Sequence, residues 1–280
     1  ILWGLSPIFW KALNQVEAMD IVSWRVICTF VFVAACNLLL RLTRRGKVTP
    51  LPFLRNKLSM LGGGLIGLNW GMFVWAVESE RVVEASLGYF MNPLMNVFLG
   101  VVFLGEALRK AQWLAVTFAA AGVLWLTISL NAFPWVSLTL AISFALYGLI
   151  RKVAPASPLE GLRVETSVLL IPAVAFVLLR GNASENLTSD TATVILILLS
   201  GAVTGIPLLL FASSAKRIPL SILGILQYIT PTIQFLLGVF AYNETFDSNR
   251  LIGYSIIWSG LVIFALDSFR FASSQTSHVE

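Results

Sequence analysis

The stretch 193–212 reads TVILILLSGAVTGIPLLLFA and contains no charged residue. Twenty residues in a helix extend about 30 Å, which is the thickness of the hydrocarbon core of a bilayer. The stretch is almost continuously apolar and does not alternate between apolar and polar residues, as the strands of a membrane β-barrel do. It therefore predicts a transmembrane α-helix.

The rest of the chain has a similar character. Of the 280 residues, 58% are hydrophobic and only 12% are charged, about half the charged fraction of a soluble domain. This composition excludes a soluble globular protein and predicts an all-α integral membrane protein with ten transmembrane helices. The first helix is expected to be truncated at its N-terminus. The predicted spans are 1–13, 20–40, 58–77, 82–105, 111–130, 133–150, 161–179, 192–214, 218–242 and 250–270.

The distribution of charge predicts the orientation of these spans. The formal net charge is +5, and the connection 41–57 carries six basic residues and no acidic one. Cytoplasmic loops are enriched in Lys and Arg, so this connection is predicted to be cytoplasmic. Because the chain crosses the membrane ten times, both termini are then also predicted to be cytoplasmic, including a tail at 271–280. We interpret the net charge as a topology signal, with no nucleic-acid partner. The other predicted cytoplasmic loops contain Arg109, Lys110, Arg151, Lys152, Lys216 and Arg217.

Few residues suited to catalysis are present. The single histidine, His278, lies three residues from the end of the sequence, and the two cysteines are Cys28 and Cys36. Metal sites and nucleophilic triads usually need histidine or several cysteines. No nucleotide-binding loop of the Walker type is present. We therefore expect no enzymatic activity, no metal and no cofactor.

An internal repeat relates the two halves of the sequence. An offset of 138 residues aligns Pro93 with Pro231, Glu106 with Glu244 and Gly122 with Gly260. Five helices per half is an odd number, so the second half enters the membrane from the opposite side. The sequence thus predicts two inverted five-helix repeats, at 1–132 and 133–270, an arrangement typical of transporters.

Several ordered motifs resemble a known family. The first half contains GLNWGMFVWAV at 67–77, EASLGYFMNPL at 84–94 and LGE at 104–106, and the second half contains LGILQYITP at 223–231. These motifs resemble the RarD, or chloramphenicol-sensitive, family of EamA-type transporters in the drug/metabolite transporter superfamily. The resemblance implies ten helices in two inverted units, a multi-pass protein of the bacterial cytoplasmic (inner) membrane, and movement of a small organic solute.

Two ionisable residues inside spans are candidates for transport. Arg25 lies about one turn inside the second span, and an intramembrane ionisable residue is a functional candidate. The alternative is that Arg25 only extends to the membrane interface. Glu165 lies about one turn inside the seventh span and is a candidate to carry a coupling proton. Alternatively, Glu165 forms a structural pair with Arg25 or Arg163.

Further candidates surround two matched prolines. Pro93 and Pro231 are predicted to interrupt the fourth and ninth spans, and each would free a backbone carbonyl for a polar ligand. The alternative role for the polar residues nearby is hydrogen bonding between helices. Glu106 and Glu244 are expected to brace neighbouring loops, and the alternative is that they act as gate charges or contact the substrate. The candidate solute-binding residues, besides Arg25, are Asn69, Trp70, Tyr89, Asn92, Gln227, Tyr228 and Thr230.

Together these features predict a secondary-active transporter that works by alternating access between its two repeats. The expected partners are a small-molecule solute, the lipid bilayer and protons as the coupling ion, with the chain acting as a monomer or homodimer. A passive solute channel or uniporter and a lipid scramblase-like protein are the alternatives.

Overall fold

The structure is a computed structural model that describes residues 1–43, 56–129, 133–180, 190–242 and 248–276. Within these ranges the chain is helical, and they contain no β-strand. Nine segments in these ranges are long and apolar enough to cross a membrane. The predicted all-α membrane fold is confirmed.

In chain order the helices are α1 (Leu2–Lys11), α2 (Ala18–Thr43), α3 (Lys57–Glu78), α4 (Val82–Leu104), α5 (Lys110–Ser129), α6 (Trp135–Val153), α7 (Pro158–Arg180), α8 (Thr191–Arg217), α9 (Leu220–Gln227), α10 (Ile229–Leu236) and α11 (Ser248–Thr276).

The ninth span is interrupted close to its proline. It is divided into α9 and α10 at Tyr228, and a π-helical turn at Leu237–Ala241 completes it. Pro231 has no backbone N–H and its ring crowds the carbonyl four residues earlier, which places the interruption one turn before the proline. The prediction of an interruption in this span agrees with the geometry.

The fourth span is not interrupted, although the sequence predicted that it would be. α4 runs as one helix from Val82 to Leu104 with Pro93 inside it, so the expected interruption there is wrong. A transmembrane helix tolerates proline when neighbouring helices pack against the freed backbone. Gly224 of α9 supplies such close packing, because a β-carbon built on it would lie only 2.7 Å from the carbonyl oxygen of Pro93.

The described chain divides into two compact units, each drawn from both halves of the sequence. The first comprises residues 1–80 and 146–218. In it, α2 packs against α7 and α8, and α3 packs against α7. Glycines permit this close packing: a β-carbon on Gly63 of α3 would lie 3.0 Å from Cα of Glu165.

The second unit comprises residues 81–145 and 219–280. In it, α4 packs against α9, and α5 packs against α11. Its apolar core includes Phe90, Val123, Tyr228 and Ile257. All the candidate site residues described below belong to one unit or the other, and each unit is considered by itself.

Candidate functional sites in the two units

In the first unit, Arg25 lies between tryptophans of two other helices. Its guanidinium carbon is 3.9 Å from the ring centroid of Trp70 on α3 and 5.2 Å from that of Trp10 on α1. A cation is attracted to the face of an aromatic ring, most strongly to that of tryptophan. Two predicted solute-binding residues, Arg25 and Trp70, are therefore brought together. A third, Asn69, is buried one residue earlier on α3.

Glu165 lies on α7 in a fully buried ion pair. Nη1 of Arg151 donates a hydrogen bond to Oε1 of Glu165 at 2.9 Å, and the hydroxyl of Tyr147 donates to Oε2 at 3.0 Å. The two charged side chains are 2% and 1% exposed. The structural partner expected for Glu165 was Arg25 or Arg163, and that expectation is wrong, because Arg151 occupies this position.

Small residues make room for the pair. A β-carbon on Gly62 of α3 would lie 3.2 Å from Oε1 of Glu165, and one on Gly161 of α7 would overlap Nη1 of Arg151. Nη2 of Arg151 also donates to the carbonyl of Pro158 at 2.6 Å, at the start of α7. Burial of a charge is unfavourable unless it is paired and hydrogen-bonded. Both carboxylate oxygens and both Nη atoms meet this condition, whereas Nε of Arg151 is buried and has no hydrogen-bond partner in the described part of the chain.

Neighbouring basic residues hold the ends of helices together. Nζ of Lys152, at the end of α6, donates to the carbonyls of Ala215 and Ile218, at 3.1 and 2.7 Å. Nζ of Lys216, at the end of α8, donates to the carbonyl of Ala154 at 2.8 Å and to that of Ala156. Each lysine thus satisfies carbonyl groups that a helix end or its connection leaves unpaired.

This arrangement corrects part of the charge interpretation. Arg151 and Lys152 were assigned to a cytoplasmic loop, but α6 extends to Val153 and includes both. Arg151 is a buried residue and not a solvated loop charge. The connection 44–55, which carries most of the predicted topology signal, lies outside the described residues. The orientation of the chain therefore stays a prediction.

In the second unit, the polar residues of α4 and α9 form one network. Nδ2 of the fully buried Asn96 donates to Oε1 of Gln227 at 2.6 Å and to Oδ1 of Asn92 at 3.3 Å. Asn92 and Asn96 are one turn apart, so they share a face of α4. The network joins two helices, which is the interhelical role considered as the alternative to solute binding.

The remaining candidates of this unit have different surroundings. Tyr228 stands at the interruption between α9 and α10 and is 1% exposed, among apolar residues that include Phe90 and Ile257. Its hydroxyl has no hydrogen-bond partner in the described part of the chain. Thr230 is partly buried, whereas Tyr89 is 38% exposed.

Glu106 braces the beginning of α9. Gly105 ends α4 in the left-handed conformation, with φ of 66°, and turns the chain so that Glu106 faces α9. The carboxylate accepts from the backbone N–H groups of Leu220 and Ser221 at 2.6 and 2.8 Å, and from the hydroxyl of Ser221 at 2.7 Å. A carboxylate at a helix N-terminus satisfies unpaired N–H groups and complements the helix dipole. The geometry agrees with the predicted bracing role. Glu244, its counterpart, lies outside the described residues.

Sequence reasoning missed Arg151 and Tyr147 as members of the buried cluster. A signal was present, because the two residues are four apart in YGLIRK at 147–152 and therefore lie on one face of a helix. The spacing does not indicate which helix that face meets.

Comparison with known proteins identifies the family. The model of the EamA-like transporter family matches residues 1–128 and 134–266. The protein RarD of Streptomyces exfoliatus is 42% identical over 100% of this chain and 89% of its own length. The uncharacterized transporter YojE of Bacillus subtilis is 40% identical over 99% of this chain and 94% of its own. A solved crystal structure with 19% sequence identity aligns with a TM-score of 0.68 over 96% of this chain and 94% of its own, which shows a shared fold. The chain is thus a multi-pass membrane protein with bacterial relatives named as transporters, and it belongs to the EamA-like transporter family.

Proposed function

We propose that this protein is a secondary-active transporter that moves a small organic solute across the bacterial cytoplasmic membrane by alternating access. Two inverted repeats, 1–132 and 133–270, would exchange roles between an inward-open and an outward-open state. Both termini would be cytoplasmic. Family membership supports transport, and the packing of matched glycines supports the repeat.

Three pairs of glycines that are 138 residues apart support the proposed repeat: Gly63 with Gly201, Gly67 with Gly205, and Gly122 with Gly260. A β-carbon on Gly122 of α5 would lie 2.7 Å from the carbonyl oxygen of Gly253 on α11. A β-carbon on Gly260 of α11 would lie 2.7 Å from the carbonyl oxygen of Ala115 on α5. Gly253 and Ala115 are themselves 138 residues apart. The α5–α11 contact is therefore reproduced when the two halves are exchanged.

The first unit contains a similar exchange. Gly63 of α3 approaches α7 at Glu165, whereas Gly201 of α8 approaches α2 at Cys28 and Thr29. Adding 138 to Cys28 gives 166, one residue from Glu165. Two inverted repeats would make equivalent contacts in swapped order, so these contacts support the proposed symmetry on which alternating access would depend.

Glu165 is the proposed coupling residue. Its carboxylate is paired with Arg151 and Tyr147 away from solvent. A proton bound by Glu165 would cancel the attraction for Arg151 and loosen contacts between α6 and α7, which links protonation to a change of conformation. A buried ion pair that protonation would weaken could act as such a switch.

The test uses purified protein in proteoliposomes with an imposed proton gradient and a panel of radiolabelled solutes that includes chloramphenicol and small carboxylates. We expect one or more solutes to accumulate above equilibrium and to be released by a protonophore. Glu165→Gln should lose accumulation but retain exchange between equal pools, because Gln cannot release a proton. Glu160→Gln, an acid-to-amide change on the same helix, is the matched control and should behave like wild type.

The same preparation separates the alternatives. Equilibration of solute without accumulation, at the same rate with and without a proton gradient, would indicate a passive channel or uniporter. Movement of fluorescent phospholipid between leaflets, with no solute movement, would indicate a scramblase-like protein. Accumulation at the wild-type level in Glu165→Gln would contradict the coupling role while leaving the carrier mechanism in place.

A further inference from the structure

Two buried nitrogen atoms of the first unit have no hydrogen-bond acceptor among the described residues. They are Nδ2 of Asn56, directly before α3, and Nε of Arg151, near the end of α6. Each of these two residues is 2% exposed. A buried N–H group without an acceptor is unfavourable, and internal water molecules commonly satisfy such groups in proteins. The two donors therefore indicate internal water at this end of the unit.

Both donors belong to one polar cluster beside the buried ion pair. The hydroxyl of Ser59 donates to Oδ1 of Asn56 at 2.9 Å, so the Asn56 side chain bonds to another side chain and does not cap α3. Oγ of Ser59 and Nη1 of Arg151 lie 3.4 and 1.9 Å from the position that a β-carbon on Gly161 would take. The same Nη1 donates to Glu165. The cluster thus connects the beginning of α3 to the carboxylate.

The other side of the carboxylate is covered by aromatic rings. The ring of Tyr147, whose hydroxyl donates to Glu165, stacks on Phe211 of α8 with centroids 6.1 Å apart and an interplanar angle of 12°. Phe211 also lies 5.7 Å from the ring of Trp3 on α1. Tyr147 and Phe211 are both buried. Apolar surroundings of this kind do not hold water, so the hydrated side of Glu165 is the side of Asn56 and Ser59.

The cluster lies close to the ends of α3 and α7. Lys57, which follows Asn56, and Ser157, which precedes α7, are exposed. Glu165 lies seven residues after the first residue of α7, a distance of about 10 Å along the helix. A row of about three or four water molecules, hydrogen-bonded at about 2.8 Å, spans that distance.

Ionisable groups of several helices surround Glu165. Those bonded to its carboxylate are Arg151 and Tyr147 of α6. From α3, the residues that approach Glu165 are Gly62 and Gly63, which do not titrate. Other ionisable groups on the helices packed against α7, or on α7 itself, include Arg25 of α2, Lys216 of α8, Glu160 and Arg163. A proton on Glu165 therefore acts first on the pairing with Arg151.

We propose that Asn56, Ser59 and Arg151 hold internal water molecules through which Glu165 exchanges its proton with the end of the unit where α3 and α7 begin. A proton from bulk water forms an O–H bond at the carboxylate, and its release breaks that bond and returns the proton to water. The assignment rests on the proposed function, because it supplies the route of the coupling proton. By the predicted topology this end is cytoplasmic.

The test follows the carboxyl group of Glu165 by infrared difference spectroscopy between acid and alkaline buffer, on the full chain in lipid nanodiscs. The band of the protonated carboxyl is assigned by its loss in Glu165→Gln. On transfer from H2O to D2O this band shifts, and the rate of the shift measures access of water to Glu165. Asn56→Leu keeps a similar volume without a donor. We expect it to slow the shift by about five- to tenfold, because the water loses a hydrogen bond.

Two further variants test the location. Asn37→Leu is the matched control, because Asn37 is a buried asparagine of the same unit that donates to the carbonyl of Val33 in its own helix at 3.1 Å, and it should exchange as wild type does. Ser59→Ala should also slow the shift, and it keeps the proposal testable if Asn56→Leu fails to fold. A merely structural role would loosen the helices and speed the exchange.

Several outcomes would overturn the assignment. A shift at the wild-type rate or faster in Asn56→Leu and Ser59→Ala would refute it, and so would equal slowing in Asn37→Leu. If no carboxyl band of Glu165 appears at any pH at which the protein stays folded, Glu165 binds no proton and the assignment fails. Slowed exchange in Asn56→Leu together with wild-type accumulation of solute in Glu165→Gln would support the water route and contradict the coupling role. Unchanged exchange in Asn56→Leu together with lost accumulation in Glu165→Gln would do the reverse.

Discussion

The buried pair of Arg151 and Glu165 should be strongly coupled in folding. Replacement of Arg151 by Met removes the 2.9 Å ion pair and leaves a buried carboxylate whose remaining side-chain donor in the described part of the chain is the hydroxyl of Tyr147. Removal of one partner of a buried pair costs about 3–5 kcal/mol. We therefore expect Arg151→Met to lower the free energy of unfolding by that amount.

Substitution of Glu165, the other member of the pair, gives a loss of stability that can be compared with that of Arg151→Met. Glu165→Gln keeps an acceptor for Arg151 and a group that can hydrogen-bond with Tyr147, so its loss should be smaller, about 1–3 kcal/mol. The double variant Arg151→Met with Glu165→Gln contains no uncompensated buried charge. It should be more stable than Arg151→Met alone, with a coupling energy of about 2 kcal/mol or more.

The assay is reversible unfolding of the purified protein in mixed micelles, followed by circular dichroism as the fraction of SDS rises. Tyr147→Phe deletes one hydrogen bond to the carboxylate and should cost about 1.5–3 kcal/mol, less than Arg151→Met. Additive losses in the double variant, or an Arg151→Met protein as stable as wild type, would show that the pair does not form as described.

Three further predictions concern packing, capping and orientation. Gly63→Ala should cost about 1–3 kcal/mol because its β-carbon would press on the backbone of Glu165, whereas Gly64→Ala, with nothing within 4 Å, should be neutral or slightly stabilising in the same SDS titration. Glu106→Ala should cost about 1–2 kcal/mol through loss of the acceptor at the start of α9, and a wild-type unfolding curve would contradict the bracing role. In whole cells, a cysteine at position 47 should react only with membrane-permeant reagents and one at position 185 also with impermeant ones, and the reverse pattern would invert the predicted topology.

Much of the fold could be predicted because hydropathy and helix length depend on local sequence. The run 193–212 lies within the helix Thr191–Arg217, and most predicted spans match their helices to within a few residues. Helix ends are less well determined by composition. α6 continues beyond its predicted last residue, 150, to Val153, because Arg151 and Lys152 find internal acceptors and do not need to reach water.

The proline positions show a second limit. Both Pro93 and Pro231 remove a backbone donor, and the sequence around them predicted the same effect in both spans. The helix is interrupted near Pro231 only, whereas α4 continues through Pro93, whose carbonyl oxygen faces the close approach of Gly224. The outcome depends on the packing partner of each helix, which lies more than 100 residues away in the sequence.

The pairing of charges follows from the same kind of long-range contact. The sequence placed Arg25 and Glu165 inside spans and Arg151 in a loop, so Arg25 was a natural partner for Glu165. In the structure Glu165 pairs with Arg151, because Gly161 leaves space for the guanidinium. Tyr147, one turn away on α6, donates a second hydrogen bond to the carboxylate. Because the carboxylate of Glu165 is already paired with Arg151 and hydrogen-bonded to Tyr147, it does not need a second arginine. Arg25 lies instead over the rings of Trp70 on α3 and Trp10 on α1, and these contacts between helices are not indicated by hydropathy or by spacing within one helix.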